Sequence, residues 1–278
     1  VATTGKLARW QLAGDAAADY QRLLVPALFA DLAERLLDTA GLRSGERVLD
    51  VACGTGAVAR AARARVGPTG RVEGVDLNDG MLAVARAAGD GVEYHRGDAT
   101  ALPVPDGAFD LVTCQQGLQF VEDRDAALRE ARRALAADGR AAFAVWRSIE
   151  HSPVFARFAT SLGRHIGPDA ETIMRSPFQL ADGEELRRLA LGAGFAEATT
   201  TIHVATVRFA SPAAMLEAEI RSSPLAAALP GRDDDDLVPL LDELDAALAD
   251  HRDDAGVAFP IETHLVLAQA ARSRTGRG

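Results

Sequence analysis

The run Val48-Leu49-Asp50-Val51-Ala52-Cys53-Gly54-Thr55-Gly56 places an acid inside an apolar stretch and two glycines just beyond it. Glycines between a strand and a helix let the backbone approach a ligand with no Cβ in the way. Asp50, four residues ahead of Gly54, can reach a cationic group above that loop. Asp76 follows Gly56 by twenty residues and ends a second apolar stretch, a position that suits bidentate hydrogen bonds to two ribose hydroxyls. Asp98 follows a third stretch, where its carboxylate can meet an amino group on a base. Gly54-x-Gly56-x-x-Ala59 alone is a weak dinucleotide fingerprint. In an NAD-type fingerprint the first glycine usually follows the strand directly, without Asp50 and Cys53 ahead of it, and no acid is expected at Asp98.

The elements that must position these groups alternate. Residues 7–40 read as helix, with Leu24, Leu28, Leu32 and Leu36 on one stripe. Pro26 is tolerable only in a first turn, so the spacing predicts a start near it and an end at Gly41. Strands are predicted at 48–52, 71–76, 92–95, 111–114 and 141–146. Helices are predicted at about 57–65, from an Asn78 or Asp79 cap to 88, and from Asp123 to Leu135. Strand and helix therefore alternate from 47 to 146, which argues for a parallel sheet covered on both faces. Beyond Trp146, residues 152–166 and 184–193 read as helices, and Ala198–Phe209 and Val257–Gln269 as strands. Residues 211–254 carry no strand signal, and Leu237, Leu240, Leu241, Leu244 and Leu248 form an apolar face there. The run Asp233–Asp236 reads as a solvated helix start, not a metal site.

With 278 residues, 48% hydrophobic and 25% charged, the chain has the composition of a folded protein. Its net charge of −10 disfavours a nucleic-acid partner in the absence of a basic patch, and none stands out. No apolar run approaches the ~20 residues needed to span a bilayer, and no secretory leader is expected near Val1. Cys53 and Cys114 are too few for a disulfide framework and form no zinc spacing, so a reducing cytoplasm is expected. The histidines at 165, 203, 251 and 264 share no spacing that suggests a metal, and no metal site is expected.

These motifs resemble the class I S-adenosylmethionine-dependent methyltransferases, and within them the UbiE-like small-molecule branch. Asp50–Gly56 resembles the family's first motif, and Gly74-Val75-Asp76-Leu77-Asn78 its acidic loop after strand two. Gly97-Asp98-Ala99 with Leu102-Pro103 resembles the adenine-side motif. Phe109–Cys114 resembles strand four, and Leu135–Arg140 the turn into strand five. The likeness is close over about 45–147 and looser elsewhere. It implies a doubly wound Rossmann-like sheet of seven strands, parallel with one antiparallel strand. Residues 1–40 would form an N-terminal helical cover, 41–210 with 255–278 the core, and 211–254 a helical insertion acting as a lid.

By the same resemblance, the backbone around Gly54 and Gly56 would cradle the methionine part of S-adenosylmethionine, with Ala52 standing where many members have Gly. Asp50 would orient that loop and hold the amino group. Asp76 would bind the ribose hydroxyls, and Leu77 would cover one adenine face. Asp98 would accept from the adenine amino group, the Ala99 backbone N–H would meet a ring nitrogen, and the Gln115 backbone would meet the methionine amino group. The implied reaction is methyl transfer to an O, N or C atom of a small organic molecule, a secondary metabolite among the options, leaving S-adenosylhomocysteine. Methylation of a macromolecule and cofactor binding without transfer stay open as alternatives. A monomer or homodimer is expected.

In such a fold the acceptor approaches over the carboxyl ends of strands one, four and five. His151, five residues after Trp146, is the candidate base, because an imidazole can move a proton near neutrality. A surface or capping histidine is the competing reading, and Glu150 is the adjacent alternative base. Gln116 and Gln119 are candidates to orient a polar acceptor group, with Trp146 beside them; exposed loop amides are the alternative. Tyr20 and Trp10 lie in the segment that often folds over the cofactor in this family, and Tyr20 could close the site or simply pack a helix.

Overall fold

The β-branched and leucine-rich run ahead of the glycine loop becomes β1 (Arg47–Val51), buried at every position after Arg47. The structure is a computed structural model that describes residues 12, 14–229 and 234–270. Trp10, Asp233 and residues 271–278 lie outside the described residues. From β1 the chain runs through α3 (Ala57–Val66), β2 (Arg71–Asp76), α4 (Asp79–Ala87) and β3 (Glu93–Arg96), preceded by α1 (Asp15–Asp19) and α2 (Ala30–Ala40). Then follow β4 (Phe109–Gln115), α5 (Arg124–Ala134), β5 (Leu135–Trp146), α6 (Pro153–His165), α7 (Pro168–Arg175), α8 (Gly183–Gly192) and β6 (Glu197–Phe209). Helices α9 (Pro212–Arg221) and α10 (Asp234–Ala247), then β7 (Arg252–Asp253) and β8 (Gly256–Gln269), complete it.

The sheet order is β3-β2-β1-β4-β5-β8-β6, with the two-residue β7 paired to β8. Strands β1 to β5 pair in parallel, whereas β8 runs antiparallel to both β5 and β6. The expected seven strands with one reversed are therefore present, and β7 is an eighth, found where no strand was expected. Side chains alternate between two cores. Val48, Val72, Leu111, Ala142 and Ala144 face one, with α2, α3 and α6. Leu49, Val51, Val75, Val112 and Phe143 face the other, with α5 and α8. This period-two split is what a strand buried on both faces requires.

Three local expectations change. Pro26 does not open a helix. It sits inside the stretch Tyr20–Phe29, whose wider π-helical turns are seen where the Ala30 N–H donates to the Val25 carbonyl, five residues back. Widening of this kind accommodates a residue that lacks an N–H. β5 begins at Leu135, paired to Phe109, and its register shifts before Leu111 meets Arg140. Helix α7 fills a gap where no element was expected. Among the described residues no helix is long and apolar enough to cross a membrane.

Candidate active site

The strand order reverses between β1 and β4, and the crevice at their carboxyl ends is where open α/β sheets bind ligands. Asp50 stands opposite Thr113 in the β1–β4 register. Its carboxylate accepts the Thr113 hydroxyl at 2.9 Å and the Ala59 N–H, from the first turn of α3, at 3.2 Å. Burial pushes this carboxyl up to about 7, against the lowering effect of those two bonds.

The loop after β1 turns through left-handed backbone at Ala52, with φ +54°, and at Gly54, with φ +55°. A non-glycine in that region is uncommon and marks a constrained loop. The Gly54 N–H donates to Asp76 at 2.7 Å and the Asn78 N–H to its other carboxyl oxygen at 2.8 Å. The Asp76 carboxylate is therefore fixed beside the glycine loop by backbone N–H groups. Burial raises its pKa, with the backbone N–H groups opposing. Asn78 caps α4, accepting from the Gly80 and Met81 N–H groups. Asp98 is more exposed and accepts from the Thr100 N–H and hydroxyl, each at 2.8 Å.

One cavity of about 570 Å³ joins these groups to an apolar chamber. Asp50, Ala52, Gly54, Asp76, Leu77, Asp98, Ala99 and Gln115 line it, as do Tyr20, Gln116, Gln119 and Trp146. Gly56 does not. It precedes α3 with φ +87°, and a Cβ there would meet the Tyr94 hydroxyl, so a glycine lets the start of α3 sit against Tyr94 of β3. Tyr20 stacks on Phe29 at 5.3 Å between ring centroids, and Phe29 packs on Trp146 at 6.2 Å. Gln116, itself at φ +54°, accepts the Trp146 N–H at 3.1 Å and the Gln119 amide at 2.9 Å. The Gln115 side chain donates to the Phe29 carbonyl at 3.1 Å.

His151 is not among the residues lining the cavity. It is exposed at the end of a 3-10 turn, Ile149–His151, and its Nε2 lies 3.0 Å from the Arg147 guanidinium. The geometry therefore does not bring His151 or its neighbour Glu150, also exposed, to the other candidates. Cys53 and Cys114 are free, buried thiols; burial pushes the Cys114 thiol up to about 12 and the Cys53 thiol well above its usual value. Among the described residues Glu73, Glu93 and His95 bring three ligand-type atoms together, on β2 and β3 and not in the cavity. Arg71 spans both glutamates at 3.1 and 3.0 Å, which accounts for their approach.

Sequence reasoning missed two cavity residues in the insertion, Glu219 and Ser223. It also missed the apolar lining from Phe155 of α6, Ile173 and Met174 of α7, Phe178 just after α7, and Ile261 of β8. Amphipathic periodicity flags such helices as buried but not what they face.

The residues present fit S-adenosylmethionine. Thr55 Oγ1, Asn78 Nδ2, Gln115 Oε1, Gln116 Nε2 and Gln119 Oε1 are buried, belong to lining residues, and find no partner among the described residues. Buried polar atoms in that state call for a ligand or water. Asp50, Asp76 and Asp98 add three carboxylates to the same lining, acceptors that a nucleoside bearing a cationic amino-acid tail can donate to.

Residues 49–143 match the profile of a methyltransferase domain. The Staphylococcus aureus (strain JH9) demethylmenaquinone methyltransferase is 34% identical over 176 residues, which cover 58% of this chain and 73% of that one. The Hahella chejuensis UbiE ubiquinone/menaquinone biosynthesis C-methyltransferase is 43% identical over 110 residues, 37% of this chain and 44% of that protein. The chain thus spans about half the length of several curated relatives it matches. Among solved structures, Haemonchus contortus phosphoethanolamine N-methyltransferase 2, in complex with phosphomonomethylethanolamine and S-adenosylhomocysteine, superposes with a TM-score of 0.57 at 20% identity. That match covers 92% of this chain and 57% of the other, and it speaks for the fold alone.

Proposed function

The chain belongs to the S-adenosylmethionine-dependent methyltransferase family, and from that premise we propose that it methylates an O, N or C atom of a small organic molecule held in the cavity. The observation that carries this reading is the continuity of one cavity from Asp76 and Asp98 at the nucleoside end to the aromatic wall of Phe29, Trp146, Phe155 and Phe178. A ligand chamber of this size and largely apolar lining suits a small acceptor better than a segment of protein or nucleic acid.

In this proposal Asp76 holds the ribose hydroxyls, Asp98 the adenine amino group, and the Ala52–Gly54 backbone the methionine end. When bound, the cofactor supplies a methyl carbon on a sulfonium. Asp50 faces the cationic end while its bonds to Thr113 and Ala59 keep β1, β4 and α3 in register. Gln116 fixes the start of the loop after β5 through the Trp146 N–H and so sets the wall against which the acceptor rests. Tyr20 and Phe29 close the chamber and exclude water, so that positioning within about 3 Å of the methyl carbon supplies much of the rate. We read residues up to 40 as a cover and 211–254 as a lid, because Tyr20, Leu24, Val25, Leu28 and Phe29 of the first and Glu219 and Ser223 of the second line the cavity. The two unpaired thiols suit work in a reducing cytoplasm.

Calorimetry with S-adenosylhomocysteine and with NAD tests the binding half of the proposal: heat with the first and none with the second is expected. Release of S-adenosylhomocysteine with a panel of small acceptors tests transfer, and the relatives' names make a ring carbon of a quinone precursor one acceptor to include.

A further inference from the structure

Glu219 is the buried titratable group that the reading above leaves without a task. It lies on α9, two residues before Arg221, and is 6% exposed while still lining the cavity. Among the described residues its carboxylate has no hydrogen bond and no ion pair; the Ser223 hydroxyl at 2.5 Å donates to its backbone carbonyl instead. The nearby cations are taken. Arg221 and Arg22 both bind Asp19, each at 2.7 Å. On the elements packed against α9, Arg208 of β6 binds Asp253 and Arg252 binds Asp245 of α10. Glu243 of α10 is held by Ser161, Arg164 and His165. His203 of β6, lowered by burial and then by the charge of Arg35, does not feel Glu219. The group that does register Glu219 is Tyr20, whose pKa is raised by burial first and then by the charges of Asp76 and Glu219. Burial alone pushes Glu219 up to about 7, the range in which a carboxylate can take a proton at neutral pH. A buried acid without a partner is costly, and such groups concentrate where a ligand completes them.

We propose that Glu219 is the acceptor-side base, receiving the proton of a hydroxyl or N–H donor carried by an otherwise apolar acceptor. The inference rests on the methyltransferase reading and adds the residue and the acceptor chemistry. The acceptor's O–H or N–H bond breaks, its proton passes to a Glu219 carboxylate oxygen, and its electron pair stays on the acceptor atom. That pair forms the bond to the methyl carbon, and the pair of the carbon–sulfur bond remains on sulfur, which becomes a neutral thioether. Glu219, now a carboxylic acid, returns the proton to solvent when product leaves. Phe29, Phe155, Ile173, Met174 and Phe178, which line the same cavity, offer an acceptor apolar contact.

The test follows the Glu219 carboxyl itself. Protein labelled with 13C at glutamate side-chain carboxyls is titrated with S-adenosylhomocysteine bound, and Glu219→Gln identifies the resonance by its loss. The carboxyl should titrate near neutrality in that complex. Adding 1-naphthol should move the resonance, and naphthalene, which has the ring but no donor, should not. Glu219→Gln should keep S-adenosylhomocysteine affinity within twofold. A resonance moved by both arenes or by neither overturns the proposal. So does a tenfold loss of S-adenosylhomocysteine affinity in Glu219→Gln, which would place Glu219 on the cofactor's amino group. Wild-type protein that binds no S-adenosylhomocysteine would instead defeat the underlying methyltransferase reading, and the two failures are therefore distinct.

Discussion

The Asp76 carboxylate accepts the Gly54 backbone N–H at 2.7 Å, across 22 residues of chain. This bond ties the end of β2 to the loop after β1, so the Asp76 carboxylate and the glycine loop are set by one another and not by their strands alone. A second bond, from the Asn78 N–H, holds the other oxygen. The carboxylate is thereby oriented before any ligand arrives, which lowers the ordering cost of binding.

Asp76→Ala should accordingly weaken S-adenosylhomocysteine binding by about tenfold or more, the equivalent of roughly 1.5–3 kcal/mol for charge-assisted hydrogen bonds. Calorimetry reads it directly, and unchanged affinity would remove Asp76 from the ribose. Asp76→Asn, which keeps an acceptor oxygen for Gly54, should fall between the two.

Asp50 gives the fold a pH dependence of defined sign. Its folded pKa, pushed up to about 7 chiefly by burial, lies above the ordinary carboxylate value. Between about pH 4 and about pH 7 the folded chain holds a proton that the unfolded chain has released, so stability falls as pH rises through this window and levels off above it. Glu219, raised to the same region, acts in the same direction. Asp50→Asn should flatten the fall by up to about 4 kcal/mol. Urea melts at several pH values measure it, and a slope equal to wild type would mean that Asp50 is ionised throughout.

Arg140 should be the costliest single basic residue to remove. It is 8% exposed; its guanidinium meets both oxygens of Glu46 at 3.0 and 2.8 Å and donates to the carbonyls of Ala40 and Gly41, where α2 ends. Arg140→Ala leaves Glu46 and two helix-terminal carbonyls without these donors, and a loss of about 3 kcal/mol in denaturant melts is expected. Arg140→Lys keeps the charge but not the fork and should recover only part of it.

His151→Ala should change stability by less than about 0.5 kcal/mol, as for an exposed residue away from special features. S-adenosylhomocysteine affinity and turnover should both stay within about twofold. A fall of ~10²-fold in turnover alone would restore the histidine as a base, the usual scale for losing one.

The end of the cavity at the glycine loop was legible in the sequence because its parts are local. Asp50, Gly54 and Asp76 each sit within a few residues of a strand end, and the strand pattern places them. The end lined by α9 was not. Glu219 lies in Met215-Leu216-Glu217-Ala218-Glu219, where two acids two apart cannot share one helix face, yet nothing local says which is buried. Packing decides: Glu217 is exposed and Glu219 buried, with the helix seated against the Tyr20–Phe29 stretch. The π-helical turns around Pro26 escaped for a related reason, since proline normally argues for a helix start. Chain distance from β5 points to His151, but a single 3-10 turn is enough to send its side chain to solvent.

The reversed strand has a bearing on how the chain folds as it is made. β8 lies between β5 and β6, paired along Arg140–Trp146 on one side and Glu197–Phe209 on the other. Until residue 269 is available, both neighbours expose long unpaired edges. β6 also carries Ile202 and Val204, which stay exposed at 52% and 56% even in the finished fold. A nascent chain in that interval is open to edge-to-edge association, and closure waits on contacts between residues more than a hundred positions apart. Slow release from the ribosome or a chaperone that shields strand edges would therefore raise the yield of folded protein, more so than for a sheet completed in chain order.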